Sequence, residues 1–171
     1  MQSLIIGLRL VHVVAGMFWV GTTLFLAFFL APVLGSAGPA AGPVMGGLQR
    51  RGMMTVLPIS AILTLGSGVW LYQLVSGGSL AAYMRSPVGG TFATAGALGL
   101  FAFVLGMAVA RPAAVTAVRV NQELASATDE AGRTRLQQRL RVLQRRNALA
   151  TRIVAVLLIA AAAGMAVARY M

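Results

Sequence analysis

The run LIIGLRLVHVVAGMFWVGTTLFLAFFLAPVL, Leu4 to Leu34, contains only two ionisable residues, Arg9 and His12. A helix needs about 20 consecutive apolar residues to cross a bilayer core about 30 Å thick. This run exceeds that length. It also exceeds the roughly 7–15 apolar residues of a signal-peptide core, and no small-residue cleavage site with a polar continuation follows it, so it reads as a retained helix.

Three further stretches of the same kind lie downstream, at about 53–75, 90–110 and 149–168. Apolar residues make up 58% of the chain and charged residues 10%, against roughly 25% charged in soluble domains. The expectation is an all-α integral membrane protein, a single four-helix bundle spanning residues 1–171, with a helical extension at 112–147 between helices 3 and 4. Within that extension Leu136, Leu140 and Leu143 recur at helical spacing, and Ser126 to Gly132 gathers capping residues and a glycine, which predicts a hairpin turn. Pro58 is expected to kink helix 2. Gly66, Gly68, Gly96, Gly99, Gly106 and Gly164 read as positions of close helix approach.

The net charge of +11 is distributed as membrane topology requires. Arg50 and Arg51 follow helix 1, and nine arginines between Arg111 and Arg152 surround the extension, while Arg9, Arg85 and Arg169 are alone on the other side. The positive-inside rule therefore places both inter-helix arginine clusters in the cytoplasm and both termini outside. That describes a multi-pass protein of a bacterial-type inner membrane. The arginine-rich arm from Arg133 to Arg146 suits anionic lipid headgroups and, as an alternative, a protein partner. Homo-oligomerisation stays open. Nucleic acid is not expected, because no aromatic residue is interleaved from Pro112 to Asn147 to stack on bases.

The candidate site lies in helix 1. Ionisable residues at membrane depth are costly and mark functional sites by default, and Arg9, His12, Gly16 and Trp19 follow one helical face. Imidazole ligates haem iron, an arginine fork suits a propionate, Gly16 leaves room for a flat ring, and Trp19 supplies an aromatic floor. Met165, at a similar depth on helix 4, is the candidate second axial ligand, since Met107 lies too deep. A five-coordinate iron and a pair of His12 residues from two subunits are the alternatives. Without a cofactor, His12 is expected to bond a helix carbonyl or a hydroxyl such as that of Thr64 or Ser67.

Copper is the alternative cofactor, because thioether and imidazole ligands suit it, although no closely spaced methionine pair shares a helical face. The chain has no cysteine, which removes disulfides, thiolate-ligated metals and redox thiols. All three acidic residues, Glu123, Asp129 and Glu130, lie in the extension. No intramembrane carboxylate is therefore on hand for a proton relay, which disfavours a pump or secondary transporter. Neither a phosphate-binding glycine loop nor a zinc-type histidine pair occurs.

The run Arg9-Leu10-Val11-His12-Val13-Val14-Ala15-Gly16-Met17-Phe18-Trp19-Val20-Gly21 resembles the first helix of small four-helix membrane proteins related to the HemJ-type protoporphyrinogen oxidases and the CopD copper-resistance domain. Pro58 with Thr64-Leu65-Gly66-Ser67-Gly68, and the basic stretch before helix 4, are similar to the same group. The resemblance implies a four-helix membrane fold and a role for His12 as a haem b ligand or essential site residue, in a redox-active protein or oxidase. Where the HemJ-type subgroup continues helix 1 into a more basic and aromatic segment, this chain reads Leu24-Phe25-Leu26-Ala27-Phe28-Phe29-Leu30-Ala31-Pro32.

Overall fold

Backbone N–H and C=O groups find no partners in hydrocarbon, so a spanning segment must satisfy them within itself. The computed structural model, which describes residues 2–37 and 41–171, is accordingly helical, with no strand among the described residues. The helices are α1 (Gln2–Phe25), α2 (Ala31–Ser36), α3 (Ala41–Arg50), α4 (Met53–Val75), α5 (Leu80–Arg85), α6 (Pro87–Leu105), α7 (Arg111–Ser126) and α8 (Glu130–Val167). Four continuous stretches are long and apolar enough to cross a membrane: Gln2–Ser36, Met53–Val75, Pro87–Ser126 and Glu130–Tyr170. The last two run to 40 and 41 residues. At about 1.5 Å per residue they measure about 60 Å, twice the hydrocarbon thickness.

Two helix joints have the same construction. Between α1 and α2 the Ala31 N–H donates to the Leu26 carbonyl, five residues back, and Pro32 follows. Between α6 and α7 the Arg111 N–H donates to the Gly106 carbonyl, and Pro112 follows. Proline has no N–H to donate and its ring crowds the preceding turn. Each wide π turn therefore sits where the hydrogen-bond ladder is interrupted anyway. In α4 the helix runs through Pro58 as one element.

Caps set the other boundaries. Ser86 accepts the Gly89 N–H at 3.1 Å and Pro87 occupies the first turn, a position proline prefers. This starts α6 three residues before the expected 90. Asp129 accepts the Gly132 N–H at 2.7 Å, and the Arg133 side chain closes the predicted hairpin turn by donating to the Ala127 carbonyl. Gly52, at φ 81°, makes the reversal between α3 and α4, a conformation that costs glycine little. The helices α3 and α5 were not expected. Glycines in AGPVMGGLQR mask the helical pattern of the first, and α5 is a short amphipathic turn between two breaks.

α1 packs along α4 and α6 along α8, while α1 with α8 and α4 with α6 close the set; α3 rests on α7 and α4. Trp19, Ala61, Ala102, Val154 and Leu158, drawn from all four long segments, form the central cluster. Most buried residues are small: Ala27, Ala61, Ala95, Ala102, Ala155 and Ala161. Large ones such as Met17, Phe18, Ile62, Phe101 and Val156 face outward. Lipid tails are as apolar as leucine, so contact between membrane helices depends on close packing of small residues rather than on hydrophobicity. At Gly164 an added Cβ would stand 3.1 Å from the Ala95 Cβ, whereas Gly96 faces open space.

Gly164→Leu is expected to force α8 from α6 and cost about 1–3 kcal/mol, read as a lower Tm in mild detergent. Gly96→Leu, with nothing to strike, is expected to change stability by about 0.5 kcal/mol or less.

Candidate functional site

His12 sits half-buried where α1 crosses α4. Its Nδ1 lies 2.8 Å from the Thr64 carbonyl oxygen. A carbonyl can only accept, so Nδ1 carries a proton and donates, which in the neutral tautomer leaves Nε2 as the nitrogen free to accept. The Ser67 hydroxyl stands 3.4 Å from the same nitrogen, but its single proton is directed at the nearer Leu63 carbonyl, with the Thr64 carbonyl 3.1 Å away. Gly68 makes the approach feasible, because an added Cβ would come within 2.8 Å of His12 Cε1.

Only part of the expected helix 1 constellation shares this location. Gly16 also faces Thr64, whose Cγ2 stands 3.4 Å from where a Cβ would be, so the space beside Gly16 is already filled. Trp19 is 5% exposed and meets Phe103 edge-on at 6.5 Å within the central cluster. Arg9 is exposed, and Met165 is half-buried on α8. Among the described residues no three His, Cys, Asp or Glu side chains gather as a metal site. His12 and Gly16 thus meet at Thr64, and Trp19 belongs to a different environment.

That environment is a cavity of about 500 Å³, within the roughly 300–1,000 Å³ usual for ligand sites. His12 lies on the far side of Trp19, about 10 Å along α1 at 1.5 Å per residue, and does not line it. Trp19, Leu57, Ala61, Ala102, Phe103 and Val154 form its apolar floor. Both π turns and Pro58 contribute to its walls, with Met53, Met54 and Met107 between them, and α3 reaches it through Ala41, Gly42 and Met45. At Gly42 an added Cβ would run into the Asn121 side chain, so glycine permits this docking of α3 on α7.

Along α8 from Val154 backwards the lining turns polar, through Thr151, Asn147 and Gln144 to Arg145 and Arg141, with Asn121 and Arg111 from α7 and the apolar Leu34, Val118 and Leu140 beside them; this arginine-bearing end is called the mouth. No acidic residue lines it. A second cavity of about 680 Å³ shares Asn121, Gln144 and Arg141 with the first and adds Arg50, Gln122 and Gln137.

These residues, which the helix 1 pattern does not include, carry a signal of their own in the sequence. On α8 the face that buries Leu158 and Val154 continues backwards as Thr151, Asn147, Gln144 and Arg141, in three- and four-residue steps. On α7, Arg111, Ala114, Val118 and Asn121 follow the same rhythm. A core face that grades into amides and arginines lines a site open at one end.

No known family, curated protein or solved structure matches this chain.

The carbonyl bond predicts an asymmetry between neighbours. Gly68→Ala should displace the His12 ring and lower stability by about 1–3 kcal/mol, from overpacking and the lost bond. Thr64→Val keeps the backbone carbonyl and the methyl against Gly16, and should cost about 0.5 kcal/mol or less. Thermal denaturation of both variants in the same detergent checks the contrast.

Proposed function

We propose that this chain is a multi-pass inner-membrane binding protein whose working site is the 500 Å³ cavity below Trp19. In this reading the four long segments form one bundle, the α7–α8 hairpin and α3 lie in the cytoplasm, and both termini lie outside. The cavity then stands at the cytoplasmic boundary of the bilayer, with its floor at hydrocarbon depth and its mouth among headgroups. A membrane-soluble molecule fits such a place.

The observation that carries the proposal is the gradation of the lining from Trp19, Ala61 and Val154 through Asn147 and Thr151 to Arg141 and Arg145. Taking an apolar group out of water contributes about 0.8 kcal/mol per CH₂, but a ligand arriving from the bilayer has already left water. Its affinity must come from packing against the walls and from the polar groups at one end.

Gly106 provides the test. Its carbonyl takes part in the π turn, it lines the cavity, and a Cβ there would meet nothing within 4 Å. Gly106→Leu should fill the cavity without clashing. Total membrane lipid extract is expected to stabilise the unsubstituted protein by about 2–3 kcal/mol at saturating ligand, roughly 5–10 °C in Tm. The same extract should leave Gly106→Leu unmoved; equal stabilisation of both proteins would remove the cavity as the site.

The topology has a clean assay because the chain lacks cysteine. Thr134→Cys should react with an impermeant maleimide only after cells are opened, and Ser3→Cys before.

A second reading keeps His12 as an axial haem b ligand, as the resemblance to the HemJ and CopD groups implies. It is favoured by the Nδ1–H bond to the Thr64 carbonyl, the arrangement by which ligating histidines are commonly oriented, which leaves Nε2 for iron. The filled space beside Gly16 confines a porphyrin to the open side of the α1–α4 contact. Reduced-minus-oxidised spectra with and without His12→Ala test it: α and β bands lost in the variant sustain the reading, and a featureless spectrum after expression with added haem ends it.

A further inference from the structure

The cavity reading leaves the chemistry of the ligand open, and the mouth supplies it. We infer that the ligand is an anionic amphiphile, a lipid-like chain ending in a carboxylate or phosphate, bound with its head among Arg111, Arg141 and Arg145 and its chain running towards Trp19. The inference rests on the cavity reading above.

Charge complementarity carries it. Arg111, Arg141 and Arg145 line one cavity, and the three acidic side chains of the chain, Glu123, Asp129 and Glu130, do not. Arg141 and Arg145 are four residues apart on α8, hence on one face, and Arg111 comes from the start of α7. Guanidinium forks bind carboxylate and phosphate oxygens in a bidentate way. Asn147 and Thr151 lie just inside, half-buried, and can accept or donate to the ester or hydroxyl groups that follow such a head. All three arginines are exposed, so the head remains at the headgroup level while the chain lies along the apolar part of the half-open cavity.

A neutral hydrocarbon chain has no reason to prefer this cavity over the bilayer, since both are apolar. Discrimination must therefore come from the head, and removal of the charge from either partner should abolish it. Elsewhere the hairpin has five more arginines, among them Arg135 and Arg139, which lie outside both cavities. They serve as the control for general attraction of anions to a basic surface.

Trp19 is a built-in reporter. The chain has two tryptophans, and Trp70 is 52% exposed on α4, so Trp70→Phe leaves Trp19 at the cavity floor as the single emitter. The experiment reconstitutes the protein of residues 1–171 in lipid nanodiscs and titrates three bromine-labelled probes with the same chain: a fatty acid, its alcohol, and its phosphate monoester. Bromine quenches tryptophan at contact range.

The acid or the phosphate ester is expected to quench Trp19 at a mole fraction about tenfold or more below that of the alcohol. The stronger of the two identifies the head. Arg141→Gln/Arg145→Gln should bring the anionic probe to the level of the alcohol, and Arg135→Gln/Arg139→Gln should leave the preference in place. Equal quenching by all three probes, or a preference that survives Arg141→Gln/Arg145→Gln, overturns the anionic head while the cavity reading stands. No quenching by any probe overturns the cavity reading as well. A preference lost equally in the control pair assigns the effect to the surface and likewise overturns the inference. Size-exclusion profiles and helical circular dichroism establish that each variant is folded before it is titrated.

Discussion

The contact layer of Trp19 with Phe103, Ala61, Ala102, Val154 and Leu158 is the constraint around which the molecule is arranged. Without a hydrophobic force between membrane helices, adhesion comes from packing density. Here one indole and one leucine fill the centre, while alanines let the backbones approach. The layer also divides the chain in two. Above it, helices meet closely through glycine and alanine, at Gly68 against His12 and at Gly164 against Ala95. Below it, they part around a cavity.

The divergence below the layer has a backbone cause. Pro58 withholds one hydrogen bond from the otherwise continuous α4, and Pro32 and Pro112 follow π turns in two other segments, so three of the segments that line the cavity carry a break in the ladder there. Widened turns of this kind recur at functional sites. The resulting gap is lined on several sides by Gly35, Gly42, Gly106, Ala110 and Ala114, which cannot refill it. In water such an apolar gap would favour collapse. In a bilayer it carries no comparable hydrophobic penalty, which makes an open ligand site compatible with a stable fold.

His12 illustrates how an ionisable residue is tolerated at membrane depth. Its Nδ1–H donates a hydrogen bond to the Thr64 carbonyl, and Gly68 lets the ring lie against the partner backbone. This bond ties α1 to α4 and at the same time orients the second nitrogen. Structural and ligand roles for His12 therefore share one geometry, and chemistry at Nε2 distinguishes them.

Four apolar segments, the hairpin turn near Asp129 and a hydrogen bond of His12 to a neighbouring helix were legible in the sequence. Each rests on local properties: segment length against membrane thickness, a capping side chain before a helix, and the cost of a titratable group in hydrocarbon. The helix α3 was not legible, because its glycines hide the pattern and its position depends on Asn121, far along the chain. The grouping of Gly16 and Trp19 into one site was a property of a single helical face. Tertiary packing separated them, since α4 covers Gly16 with Thr64 while Trp19 meets α6 and α8. The cavity is likewise a product of assembly: Trp19, Pro58, Gly106, Arg141 and Arg145 lie on four segments. Periodicity orients each segment by itself, but only the meeting of all four brings apolar and cationic residues to the walls of one half-open cavity.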